Sequence, residues 1–178
     1  MAYPGRLTRD NAVLLIVDHQ VGLPQGSYHP DLNNREFVGP TIPELQEVLH
    51  GIECIERTTV NAWGDPRIVT AVKHTGRKNI VVTGVSTDVC LAFPAMSALA
   101  DGYAAYTMVD ASGAFSKQQA EMGVMRMVQA GVIPVCYSNV AVEILGDNAN
   151  PEANHVYSAL SMPFAGLVTA LNQHFSRK

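Results

Sequence analysis

Short apolar runs with no polar alternation are the feature that most restricts how this chain can fold. Ala12–Val17 (AVLLIV) ends on Asp18, and Asn79–Thr83 (NIVVT) lies between the Gly76-Arg77-Lys78 turn and Gly84. A strand that is apolar on both faces must be buried on both, which is the condition of a parallel sheet covered by helices. Three weaker runs keep the same rhythm: Gly51–Arg57, Ala104–Val109 after Gly102, and Val132–Cys136 after Gly131. Helical spacing fills the intervals. Pro66–His74 opens on Asp65-Pro66, a favoured helix start. Asp88–Ala100 carries Val89, Phe93, Met96 and Ala100 at helical intervals, and Lys117–Gln129 places Met122, Met125 and Val128 on one side. Two closing helices are expected, over Val140–Gly146 and over Glu152–Phe175 with a break at Pro163. Alternating strands and helices with glycine turns predict one α/β domain with a parallel sheet. At 178 residues the chain is long enough to bury a full core as a single domain, 1–178. Val21–Pro43 breaks the rhythm. Its prolines, glycines and asparagines read as a loop of about 20 residues, a length that in compact domains usually signals function.

Charge and motif content exclude several function classes. The net charge is −4 and no basic block of five residues occurs, so nothing electrostatic points to nucleic acid. Cys54, Cys90 and Cys136 form no CxxC pair, so neither a zinc knuckle nor a disulfide framework is expected, and a reducing compartment is. Met1–Asp10 lacks the apolar core of a signal peptide, and no run reaches the roughly 18 apolar residues of a membrane span. The expectation is a soluble cytoplasmic protein with no membrane partner. The six histidines show no HxH or HExxH spacing, and GxGxxG and GxxxxGK[ST] are absent. No metal and no cofactor is therefore expected.

Sites in open parallel sheets form at the carboxyl ends of the strands. Asp18, Arg57 and the turn Gly84-Val85-Ser86-Thr87-Asp88-Val89-Cys90 fall there. The turn runs from a buried strand straight into a helix, placing Cys90 in the first helical turn. Free N–H groups and the helix dipole there favour a thiolate and suit an oxyanion, so Cys90 is a candidate nucleophile. By position alone, Cys90 reads more readily as a small buried hydrophobe. Asp18 reads equally as proton carrier or as loop cap. Arg57 is a thiolate-stabilising cation or a surface ion pair. Cys54 and Cys136, in or beside strands, are expected to pack in the core.

At these residues the chain resembles the isochorismatase-like cysteine hydrolases. Leu14-Leu15-Ile16-Val17-Asp18-His19-Gln20 is similar to that family's first strand and catalytic aspartate, and Gly84–Cys90 to its nucleophile turn. Arg57-Thr58-Thr59-Val60-Asn61-Ala62-Trp63, Phe93-Pro94-Ala95 and Asp110-Ala111-Ser112-Gly113 resemble its YcaC-like branch. The resemblance implies a three-layer α/β/α domain with a mainly parallel, doubly wound sheet of six strands. It implies a triad of Asp18, Arg57 (where most relatives carry lysine) and Cys90, a cis peptide before Ser86, and an oxyanion hole from the N–H groups of Ser86 and Cys90. It also implies a homo-oligomer, as does the apolar stretch Ala159–Leu171. Asn61, Trp63 and Phe93 flank the triad segments and are expected on the pocket wall.

Set against that family's pattern, the resemblance implies that the chain is short of one helix-strand unit after its first strand. Either Arg35–Val38 substitutes for it, the third strand moves in, or a natural segment is missing. The Asp-plus-two-His metal site of relatives that act on nicotinamide has no counterpart in the sequence. The leading reading is a cysteine hydrolase that attacks a small amide or related carbonyl substrate through a thioester. A non-catalytic assembly or binding protein that retains the fold, and an isochorismatase acting on a vinyl ether, remain the alternatives.

Overall fold

The computed structural model describes residues 5–20, 39–160 and 174–175. Four parallel strands, β1 (Ala12–Val17), β2 (Asn79–Gly84), β3 (Ala104–Met108) and β4 (Ile133–Val135), form one sheet in that order. Ala12 pairs with Asn79 and Val17 with Gly84, which puts Asp18 level with the exit of β2. Asn79 pairs with Ala104, and Tyr106 with Ile133. Every residue of β2 is buried, as its uninterrupted apolar run requires.

The sheet separates two apolar layers. Ile80, Val82 and Ala105 face a core that includes Trp63, Ile68, Val72, Leu91, Ala95 and Met127. Those residues come from α2 (Pro66–His74), α3 (Ala92–Ala100), α4 (Lys117–Ala130) and the turns before them. Val81, Tyr106 and Met108 face Leu7 and Val140, the latter on α5 (Tyr137–Leu145). Alternate residues of each strand thus serve opposite layers, giving the expected α/β/α arrangement. Among the described residues the strand order does not reverse, and β1 is an edge. Two short helices, α1 (Pro43–Val48) and α6 (Ala153–Ala159), complete the described elements.

Several expectations need correction. Gly51–Arg57 is not a strand: of its three apolar residues in seven, Ile52 is 69% exposed and Cys54 is exposed, and only Ile55 packs against the core. The helix expected from Asp88 begins as a π-helical turn, Thr87–Leu91, and becomes α-helical only at Ala92. On α4 the side formed by Met122, Met125 and Val128 is the exposed one, and Gly123 and Met127 face inward. The helix rolls that way because Gly123 can approach backbone that a larger residue could not. Cys54 and Cys136 are exposed rather than packed in the core. The loop after β1 is clasped at its ends by a Gln20–Thr41 bridge and by the Ile42 N–H donating to the His19 carbonyl at 2.9 Å. Its residues 21–38, including Arg35–Val38, and the chain beyond Leu160 apart from residues 174–175, lie outside the described residues. No described helix is long and apolar enough to cross a membrane.

Candidate active site

Asp18, Arg57 and Cys90 come together at the carboxyl end of the sheet. Asp18 follows β1 directly and is the one described non-glycine residue with positive φ, 54°. Aspartate tolerates this left-handed conformation better than most residues. It turns the chain sharply at the sheet edge. Arg57 arrives on the irregular segment after α1 and is buried at 8% exposure. Its Nη2 donates to Asp18 Oδ2 at 2.5 Å, and its Nη1 donates to the carbonyls of Thr59 and of Val60, the latter at 3.2 Å. A buried charge needs this degree of pairing. The guanidinium is therefore a fixed counter-charge beneath Asp18.

Cys90 sits in the π-helical turn, where the Val89 and Leu91 N–H groups both donate to the Ser86 carbonyl, at 3.3 and 3.0 Å. Such turns recur at functional sites because they open the regular ladder. The thiol lies within hydrogen-bond reach of the Asp18 carboxylate, and the Ser86 backbone donates towards the sulfur. The Val85–Ser86 peptide is cis.

Electrostatics here runs against the expectation of a resting thiolate. Burial, then the Asp18 charge and its hydrogen bond, push the Cys90 thiol up to about 12, while the Ser86 N–H and Arg57 pull the other way. Desolvation and a nearby anion outweigh one amide and a cation already bound to that anion. At neutral pH the sulfur carries its proton and presents it to Asp18.

The turn is held in place by its neighbours. A Cβ on Gly84 would lie 2.9 Å from the Cys90 carbonyl carbon, so only glycine lets the turn fold back over the strand end. Thr87 donates to the Gly113 carbonyl through both its N–H (2.7 Å) and its hydroxyl (2.8 Å). The Ser112 hydroxyl accepts from the Gly84 N–H at 3.1 Å and donates to the Met108 carbonyl at 2.7 Å. On the far side, α4 presses Gly123 against Asp88, whose carboxylate accepts from the Ser86 hydroxyl at 2.7 Å. Sequence reasoning did not give roles to His19, Thr83, Ser112, Gly113 or Gly123. The segment Asp110–Gly113 stood out only as part of the family resemblance; that it leaves β3 at the same end of the sheet is the signal that points to a role.

The three residues expected on the pocket wall each have partners within the fold. Trp63 is core: its Nε1 donates to Asp101 Oδ2 at 2.8 Å and its ring packs edge-on against Tyr103. Asn61 caps the short turn at Ala62–Gly64, accepting from the Trp63 N–H at 3.0 Å, and its amide donates to Ser97 Oγ at 3.0 Å. Phe93 packs against the main core, and the Arg126 guanidinium lies over its ring. The large Trp63 indole fills the layer between helix and sheet, and the Asn61 amide has one partner at each end. Among the described residues, no group of three His, Cys, Asp or Glu side chains is placed to hold a metal ion.

The sequence and the fold recur in known proteins. The isochorismatase domain family matches residues 23–138. The probable hydrolase YcaC of Escherichia coli is 32% identical over 172 residues, with 82% of this chain and 83% of that protein aligned. A crystal structure of E. coli YcaC, described as an octameric hydrolase of unknown specificity, superposes with a TM-score of 0.86 at 30% identity. It covers 97% of this chain and 98% of that one. YcaC from Pseudomonas aeruginosa, solved with hexane-2,5-diol and covalent acrylamide, gives the same TM-score at 28% identity, over 97% of this chain and 100% of that one. By its match to the family's domain, by its identity to YcaC and by its fold, the chain belongs to the isochorismatase family of hydrolases.

Proposed function

We propose that the protein is a cysteine hydrolase acting on a small amide or related carbonyl compound, with Cys90 as nucleophile, Asp18 as proton carrier and Arg57 as counter-charge. The observation that carries this reading is the Cys90 thiol held protonated against a carboxylate that is itself pinned by a buried arginine. A thiol in that state reacts when its proton leaves as the carbon–sulfur bond forms. Asp18 takes the proton from Sγ while sulfur adds to the carbonyl carbon. The developing oxyanion is received by the N–H groups of Ser86 and Cys90, one such donor being worth about 3 kcal/mol of barrier. Collapse breaks the carbon–nitrogen bond, the amine leaves with the proton from Asp18, and a thioester remains. Asp18 then deprotonates water, hydroxide adds to the thioester, and the acid leaves as the thiol regains its proton. Arginine does not release its proton at these pH values, so Arg57 orients and neutralises but does not shuttle. A thiol nucleophile also suits the reducing cytoplasm.

The test is hydrolysis of a panel of small amides, with isochorismate in parallel. Amide turnover with a trapped thioester on Cys90, lost in Cys90→Ala and cut by about 10²–10⁴-fold in Asp18→Asn, is the expected result. Cleavage of isochorismate alone would assign the vinyl-ether reaction instead. No turnover together with a Cys90 inert to iodoacetamide up to high pH would leave a binding or assembly protein that keeps the fold. Because the similar E. coli protein is an octamer, we also propose a homo-oligomer; a monomer by light scattering would refute that.

A further inference from the structure

We propose that His19 is a positioning residue that braces Asp18 against Cys90. The inference rests on the reading of Asp18 and Cys90 just given and extends it to a side chain with no assigned role. Asp18 occupies a left-handed backbone conformation, which for a residue with a side chain is less stable than the ordinary regions. It persists only if its surroundings hold it, and the observed contacts concentrate on the next residue.

The His19 ring spans the turn. Its Nδ1 lies 3.1 Å from the Val17 carbonyl, on the other side of Asp18 in sequence. Its Nε2 lies 3.0 Å from the Ala111 carbonyl and 3.3 Å from Thr83 Oγ1. Thr83 in turn donates to the Ala111 carbonyl and contacts Ser112 Oγ at 3.3 Å. The His19 carbonyl accepts from Ile42, which closes the long loop. A neutral imidazole carries one N–H; with it on Nε2, the ring donates to the Ala111 carbonyl and towards Thr83 Oγ1, tying the residue after Asp18 to β2 and to the segment after β3, while the Val17 carbonyl is held from the end of β2 by the Val85 N–H at 3.3 Å. Asp18 sits between two tethered points, Val17 and His19. Ala111 and Ser112 belong to the same segment whose Gly113 holds the nucleophile turn through Thr87. One brace thus registers both partners of the Asp18–Cys90 pair.

The consequence is measurable on the cysteine rather than on the histidine. Asp18 raises the Cys90 thiol, so loosening Asp18 lowers it. Below its midpoint a thiol gains about tenfold in thiolate for each unit by which that midpoint falls. His19→Ala and His19→Asn, the latter too short for Ala111, are expected to lower the Cys90 titration midpoint by at least one unit. Alkylation by iodoacetamide at pH 8 should rise about threefold, because the tenfold gain in thiolate is partly offset by the weaker nucleophilicity of a less basic sulfur, while any hydrolysis falls. His19→Gln, long enough to reach Ala111, should keep the parent's midpoint. In an Asp18→Asn background, His19→Asn should add less than twofold.

A purely structural histidine would lower the melting temperature and leave the midpoint unmoved in folded His19→Asn, which overturns the proposal. A full additional shift in the Asp18→Asn background overturns it too, because the effect would not pass through Asp18. The titration needs no substrate, so absence of amide turnover would count against the proposed reaction and not against the brace. If Asp18→Asn alone leaves the midpoint unchanged, both the brace and the Asp18–Cys90 pairing fail.

Discussion

Gly123→Ala isolates the packing of α4 on the nucleophile turn. In a helix interior, glycine to alanine ordinarily stabilises by about 0.8–1.0 kcal/mol, because alanine restricts the unfolded chain. Here the added Cβ would stand 2.8 Å from Asp88 Cα, 3.0 Å from its amide nitrogen and 3.2 Å from its Cβ. Ordinary contact between carbons is about 3.5–4.0 Å, so helix and turn must separate by the better part of an ångström. Most of the atoms met are backbone, and no rotamer change relieves them. Overpacking of this kind costs about 1–3 kcal/mol. With the clash at its upper end, the net effect is destabilisation by about 1–2 kcal/mol, or a fall of about 3–6 °C in melting temperature for a domain this size. Urea denaturation and thermal melting read the stability. Iodoacetamide labelling of Cys90 in the folded variant reads the displacement of the turn, and its rate is expected to change. A variant as stable as the parent or more so, with unchanged labelling, would refute the claim that this glycine is required by close approach.

Two further outcomes follow from side chains away from the site. Thr107 is fully buried and its hydroxyl has no hydrogen-bond partner among the described residues. Thr107→Val keeps the shape and removes the unpaired group, so it should stabilise by about 1 kcal/mol, read as a rise of the urea midpoint; destabilisation would mean the hydroxyl is paired. Asp65 caps α2, and its hydrogen bonds and ion pair with Arg67 hold its carboxyl at about 2, below the ordinary 3.8. A depressed carboxylate contributes above its unfolded value and loses that contribution as pH falls through its folded value. The stability advantage over Asp65→Asn, whose amide still caps the helix, should therefore hold above pH 3.8 and close as pH drops to about 2. An advantage that survived below that point would not come from the charge.

The apolar run of β2 points by itself to a strand buried on both faces of a parallel sheet, and the structure buries all of it; β1 reads the same way in sequence, yet it lies at the edge of the described sheet and its Leu14 is 51% exposed. The glycine that ends β2 and the polar residues that follow place Asp18 and Cys90 at the same end of that sheet. That much is local information: period, punctuation and residue type. Gly51–Arg57 shows where it stops, since a few apolar residues look like a strand until only one of them, Ile55, finds the core. Met122, Met125 and Val128 show the same limit on a helix. Their spacing makes a face, but which face turns inward depends on Gly123 meeting Asp88, residues far apart in the chain. Trp63 was open to either pocket or core until Asp101 and Tyr103 were beside it. The protonation of Cys90 is the sharpest case. A cysteine at a helix start favours a thiolate by its own backbone. The tertiary structure instead buries the sulfur and sets Asp18 against it, with Arg57 already spent on that carboxylate. Coulomb interactions and desolvation depend on distances that only the folded chain defines, so the state of the nucleophile was decided by packing and not by sequence position.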